Sequence, residues 1–227
     1  MIVNDDQVSS DHTYYVAISN SDRHPRLRYA ATVHHGIRTD EFAVDAAPGE
    51  LLLYFGRIHP DKGTAEAIEV ARRSGRRLDI AGIIHDSDYF QRDVEPHVDG
   101  EQIRYLGPVD TTQRARILAG AYAVLHLINF DEPFGYSVIE AMACGTPVIA
   151  HARGSMPELI HHGHTGLLVA GIDEAVAATR AAGDLDRNTI RRAAVERFDV
   201  SGMIDKYVTV YRSVLDAVTE RRSVGTT

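Results

Sequence analysis

The chain has 227 residues, 44% of them hydrophobic and 25% charged, a composition that suits one sizeable globular core and excludes a disordered chain. A formal net charge of −8 argues against a nucleic-acid or anionic-membrane partner, so a site for an anion must be positive only locally. Cys144, the single cysteine, cannot close an internal disulfide, no basic segment precedes an apolar one at the N-terminus, and the longest nearly apolar run, Ile117 to Ile128, is shorter than the ~20 residues of a membrane helix; together these predict a cytoplasmic chain without a membrane span.

Residues 1–12 are polar and read as disordered. Tyr14 to Ser19 reads as a short strand, and Tyr29 to Ile37 as an extended segment ending in a turn. From Leu51 the chain alternates. Leu51 to Phe55 is a continuous apolar run of the kind buried on both faces of a sheet. A loop from Gly56 to Gly63 follows, then a helix over Thr64–Ser74 with Ala67, Ile68 and Ala71 inward. Arg77 to Ala81 is strand, Ser87 to Val94 helix, Ile103 to Leu106 strand, Thr112 to Ala119 helix, and Tyr122 to Ile128 strand. Pro147 to Ala150 and Thr165 to Val169 supply two further strands, Gly154 to Glu158 reads as a capping-box helix start, and two or three helices finish the chain. Six strands alternating with helices predict an α/β fold: a doubly wound, mostly parallel six-stranded Rossmann-like sheet.

The densest pattern runs from Asp131 to Ala150, as loop, helix and strand. Gly145 stops the helix and Pro147 cannot continue it, so Ser137 to Cys144 is a helix that directly follows a strand-end loop. Free backbone N–H groups at Tyr136 and Ser137, beside Gly135, make an anion site at the positive end of the helix dipole. Glu132 and Glu140 bracket it. Taken alone, Ser137 and Glu140 fit a capping box, and Glu132 fits a solvated loop carboxylate. A glycosidase pair fits poorly: on one helix eight positions would separate the two by ~12 Å, against the ~5–10 Å that such pairs use.

Glu132-Pro133-Phe134-Gly135, followed by Glu140-Ala141-Met142-Ala143-Cys144-Gly145-Thr146-Pro147-Val148-Ile149-Ala150, and the second string Phe55-Gly56-Arg57-Ile58-His59-Pro60-Asp61-Lys62-Gly63 resemble the sugar-nucleotide site of glycosyltransferase family 4. These are retaining transferases of the two-domain glycosyltransferase-B architecture. The resemblance runs from about Tyr15 to the C-terminus and implies that residues 51–227 are the C-terminal, nucleotide-sugar-binding domain. Residues 1–50 would then be a disordered start plus a remnant of the N-terminal domain and its connector. It implies that Arg57 and Lys62 hold the diphosphate, that Glu140 holds the ribose hydroxyls, and that Glu132 accepts from hydroxyls of the donor sugar. Gly56, Phe134, Gly135, Tyr136 and Ser137 would line the sugar and diphosphate, and the base would meet backbone near Pro108 and Val109. No cofactor or metal is implied. Arg57, Lys62 and Glu132 are the catalytic candidates, with Glu132 positioning rather than attacking.

Two other constellations point elsewhere. His161, His162 and His164 can chelate a metal, but a Gly163 hairpin puts them on the surface and no carboxylate or cysteine completes the set. Cys144 lies at a helix C-terminus, where no positive dipole activates a thiol. The expected function is the donor-binding half of a retaining glycosyltransferase, which alone transfers no sugar and either self-associates or meets a separate N-terminal-domain chain. A catalytically inactive nucleotide-sugar-binding module and a sugar-nucleotide epimerase or phosphorylase are the alternatives.

Overall fold

The computed structural model describes residues 13–42 and 49–224, with 220–224 described by backbone alone; the predicted disorder of residues 1–12 lies outside them. A two-stranded parallel sheet, β1 (Tyr15–Ala17) with β2 (Tyr29–Thr32), precedes the main body. The body is a six-stranded sheet of β3 (Leu52–Phe55), β4 (Leu78–Ala81), β5 (Ile103–Gly107), β6 (Ala123–His126), β7 (Val148–His151) and β8 (Gly166–Val169). All its pairings are parallel, in the spatial order β5-β4-β3-β6-β7-β8. The chain therefore winds outward from β3 to β5, returns to the middle, and winds outward again from β6, which puts the switch in strand order between β3 and β6.

Crossover helices cover both faces. They are α1 (Thr64–Ser74), α2 (Ser87–Tyr89), α3 (Thr111–Gly120), α4 (Tyr136–Ala143), α5 (Met156–Leu159), α6 (Ile172–Ala181), α7 (Arg187–Phe198) and α8 (Val200–Val224). Alternate strand residues feed two cores: Leu53, Val124, Val148 and Ala150 pack with α3, α4 and α7, while Leu52, Tyr54, Leu125 and Ile149 pack with α1 and α6. Burial on both faces is why these strands read as unbroken apolar runs. The helix predicted over Ser87–Val94 is a single α-turn followed by a wider π-type turn over Phe90–Val94. Asp86 caps its start, accepting from the Tyr89 N–H.

The segment before β3 is strapped to the end of the body. Ile37 donates to the Phe198 carbonyl and accepts from the Val200 N–H, both at 2.9 Å. On α8, Ile204, Val208, Tyr211 and Leu215 are exposed at a spacing that aligns them in one apolar stripe. No helix among the described residues is long and apolar enough to cross a membrane.

Two glycines with nearly the same backbone give a test of what positions the loop after β3. Gly63 (φ 73°) and Gly75 (φ 70°) are both left-handed, yet a Cβ at Gly63 would run into the Leu127 carbonyl, whereas nothing lies within 4 Å at Gly75. Gly75→Ala should cost only the left-handed penalty of ~1–2 kcal/mol. Gly63→Ala should cost clearly more in urea unfolding, and equal losses would mean that the β3 and β6 loops do not constrain each other.

Candidate functional site

Two loops meet at the switch point. The one after β3 runs through Gly56 and Arg57 into a single 3₁₀ turn, Pro60–Lys62, whose start is marked by His59 accepting from the Asp61 N–H. Tyr54 fixes it from below, its hydroxyl donating to the Arg57 carbonyl at 2.6 Å. The loop after β6 is tied to it by Asn129, whose N–H donates to Asp61 O at 2.7 Å and whose amide donates to Pro60 O at 3.2 Å.

The carbonyls of the following Glu132–Phe134 stretch are each held by a distant serine. Ser155 N–H donates to Glu132 O at 2.9 Å, Ser19 Oγ to Pro133 O at 2.6 Å, and Ser155 Oγ to Phe134 O. Ser155 is thus not the capping residue that its spacing to Glu158 predicts. Its hydroxyl holds the loop, and the Glu158 carboxylate accepts from the Asn20 and Ser21 N–H groups at 2.8 Å. Both side chains serve remote backbone because those N–H and C=O groups have no sheet or helix partner of their own.

These loops wall a cleft of about 380 Å³. Gly56, Arg57, Lys62, Glu132, Phe134, Gly135, Tyr136 and Ser137 all line it, with Ile18, His35, Tyr54, Phe55, His126 and Pro133. The sequence reading picked out neither His35 nor His126. His35 stacks on Tyr136 with centroids 5.2 Å apart, and His126 ends β6. A polar residue closing a central apolar strand was the available signal, since ligands of such sheets bind at strand C-termini.

α4 starts one residue earlier than predicted, with Gly135 preceding it and no side-chain cap. Its first internal bonds run from the Val138 and Ile139 N–H groups to the Gly135 carbonyl, so the Tyr136 and Ser137 N–H groups precede the helical ladder, at the positive end of the dipole. The Ser137–Glu140 capping box does not form. Glu140 points into the body, only 6% exposed, and pairs through Oε1 with Arg114 of α3 at 3.1 Å. Burial pushes its carboxyl up to about 7, against the pull of the Arg114 charge.

Glu132 behaves oppositely. Burial raises its carboxyl too, but His126 and Lys62 outweigh that and hold it near 2. Lys62 Nζ grips both carboxylate oxygens, at 2.7 and 2.8 Å, and also lies 4.6 Å from the Phe130 ring centre.

Neither Glu140 nor Pro108 nor Val109 is among the described residues lining the cleft. Pro108 and Val109 lie between β5 and α3, with Val109 packed against the core. Cys144 is partly buried, its thiol pushed up to about 12 mainly by burial. His162 Nδ1 accepts from the Leu168 N–H at 3.1 Å. Among the described residues no three His, Cys, Asp or Glu side chains gather closely enough for a metal ion.

A doubly wound parallel sheet with a cleft at its switch point, lined by Arg57 and Lys62, defines an α/β domain of the Rossmann-like class. Residues 38–193 match the family model described as glycosyl transferases group 1, and the chain belongs to that family. It is 30% identical over 219 residues to a D-inositol 3-phosphate glycosyltransferase of Mycolicibacterium paratuberculosis, covering 85% of this chain and 49% of the relative. It is 34% identical over 185 residues to a glycogen synthase of Mycobacterium tuberculosis, covering 76% and 44%. The chain therefore spans about half the length of the curated relatives it matches.

Among solved structures, a glycosyltransferase involved in avilamycin A biosynthesis superposes with a TM-score of 0.75 at 26% identity, over 88% of this chain and 64% of that one. The Anabaena protein HepE in complex with UDP and glucose superposes with a TM-score of 0.71 at 19% identity, over 87% and 62%. These likenesses establish the C-terminal domain of a glycosyltransferase-B fold.

Glu140 gives the site a pH signature. Because its folded value of about 7 lies above the unfolded 4.5, its contribution favours folding below pH 4.5 and is lost as pH rises through 7. Glu140→Gln removes that dependence. The stability difference between variant and wild type should move in the variant's favour by up to ~3 kcal/mol between pH 4.5 and 8. Urea unfolding of both proteins across that range checks it, and a pH-independent difference would refute the raised value.

Proposed function

We propose that this chain is the donor-binding half of a retaining glycosyltransferase of family 4 type, which binds a nucleoside-diphosphate sugar for transfer to an acceptor. What supports the reading is the convergence of Arg57, Lys62, Glu132 and the start of α4 on one cleft at the switch point. A diphosphate needs that set: Arg57 offers a planar fork, Lys62 a point charge, and the Tyr136 and Ser137 N–H groups a dipole end. Phe134 and Gly135 line the sugar, and Glu132 accepts from its hydroxyls. Glu140 takes the ribose hydroxyls and the loop at Pro108 and Val109 the base, although none of the three is among the described residues lining the cleft. The relative HepE was solved with UDP and glucose bound.

In the proposed reaction the bond between the anomeric carbon and the phosphate oxygen breaks, leaving its electron pair on the diphosphate. Arg57, Lys62 and the helix-start N–H groups stabilise that charge, and the reading assigns no cofactor. An acceptor hydroxyl attacks on the face the diphosphate leaves, and its proton passes to the leaving phosphate, which retains the anomeric configuration. The acceptor is held by a second domain, from another stretch of polypeptide or another chain. The exposed α8 stripe offers a face for such an association.

A thermal-shift panel of UDP, ADP, GDP and their sugars tests donor binding, with stabilisation by at least one pair expected. Arg57→Ala and Lys62→Ala should each weaken the diphosphate by ~1.5–3 kcal/mol while leaving the nucleoside nearly unchanged; calorimetry showing equal losses for both ligands would remove the pair from the phosphate site. Glu140→Gln should lose affinity for the ribonucleotide but not for its 2′,3′-dideoxy analogue, and unchanged discrimination would return Glu140 to a purely structural pairing with Arg114.

A further inference from the structure

His126 ends β6 at the switch point, only 7% exposed, and its ring lines the cleft. Its Nε2 is buried without a hydrogen-bond partner, and lies 3.4 Å from Glu132 Oε2, an electrostatic contact just short of a hydrogen bond. His151, on the neighbouring strand β7, also has an orphaned Nε2, but its Nδ1 is bonded to Ile128 O at 3.0 Å and it does not line the cleft. A buried nitrogen left without a partner is costly, and Glu132 Oε2 is the acceptor within reach of this one.

Lys62 is bound to Glu132 through both carboxylate oxygens. A diphosphate arriving beside Arg57 competes for the same ammonium. If Lys62 turns to the phosphate, the Glu132 side chain, only 16% exposed, loses its strongest partner where an unpaired carboxylate is most expensive. Nε2 is the nearest donor, and a shift of under ~1 Å brings it to the usual length of a charge-assisted bond.

We infer that His126 is the positioning residue for Glu132: its Nε2, 3.4 Å from Oε2, takes the carboxylate when Lys62 turns to the donor diphosphate, and so keeps Glu132 aimed at the donor sugar. The inference rests on the donor-site reading above.

Calorimetry of the full chain with UDP, ADP or GDP and the corresponding glucose or mannose conjugate measures that role as the preference for the sugar conjugate over the free diphosphate. His126→Gln, which keeps a donor at that position, should hold most of the wild-type preference. His126→Leu should lose about tenfold of it and should also bind the free diphosphate less tightly than wild type, because Glu132 is left without a donor once Lys62 turns. An undiminished sugar preference in His126→Leu, or an equal loss in His126→Gln and His126→Leu, overturns the role of His126 and leaves the donor site standing. Failure of wild type to bind any of these nucleotides overturns the donor site itself and this inference with it. His126→Ala, the second variant without a donor, carries the same expectation should His126→Leu not fold.

Discussion

The ammonium of Lys62 and the carboxylate of Glu132 meet at 2.7 Å although they are 70 residues apart in sequence. The pair can form only where β3 and β6 run side by side and their loops leave the same edge of the sheet. Each charge is largely buried, so each needs an opposite charge or hydrogen-bond partner beside it. The loops that carry them must therefore be fixed before any ligand arrives. Much of the surrounding structure does that: the Tyr54 hydroxyl under Arg57, Asn129 bridging to the 3₁₀ turn, and Ser19 and Ser155 holding the carbonyls of Glu132 to Phe134.

Against the overall charge of −8, Arg57 and the start of α4 make a local positive spot in an acidic chain, while Lys62 is matched by Glu132. The carboxylates near it divide by environment. Glu132, paired with Lys62 and flanked by His126, stays ionised at any physiological pH; Glu140, paired with Arg114 alone and more deeply buried, titrates near neutrality. Two glutamates on one short segment thus differ by several pH units for reasons that lie outside the segment.

Local chemistry was legible where one signal had no rival. α1 spans Thr64–Ser74 as predicted, because Gly63 and Gly75 bound it and Ala67, Ile68 and Ala71 give it one inward face. The strands fall within two residues of their apolar runs, and β6 ends at His126, two residues short of Ile128. The helix over Ser87–Val94 was less regular than expected, since Asp86 fixes only its first turn and the following residues widen into a π-type turn. The two capping boxes failed for a common reason. Ser137-x-x-Glu140 and Ser155-x-x-Glu158 have the right spacing, but the bonds they would make compete with better partners: Arg114 for one carboxylate, and the Asn20 and Ser21 N–H groups with His34 for the other.

By itself the sequence determined the alternation of strand and helix, and hence the wound sheet, because apolar periodicity and glycine punctuation act over a few residues and survive in any context. It also determined that every β-to-α loop would leave one edge of the sheet, while the strand order decided that those after β3 and β6 are neighbours. Only the tertiary structure decided the pairing of charges: Lys62 with Glu132, Arg114 with Glu140, and His126 left 3.4 Å from a carboxylate without a bond of its own. Such choices depend on distance and burial among groups tens of residues apart. Electrostatic energy in a buried site changes steeply with both, and no local pattern records either.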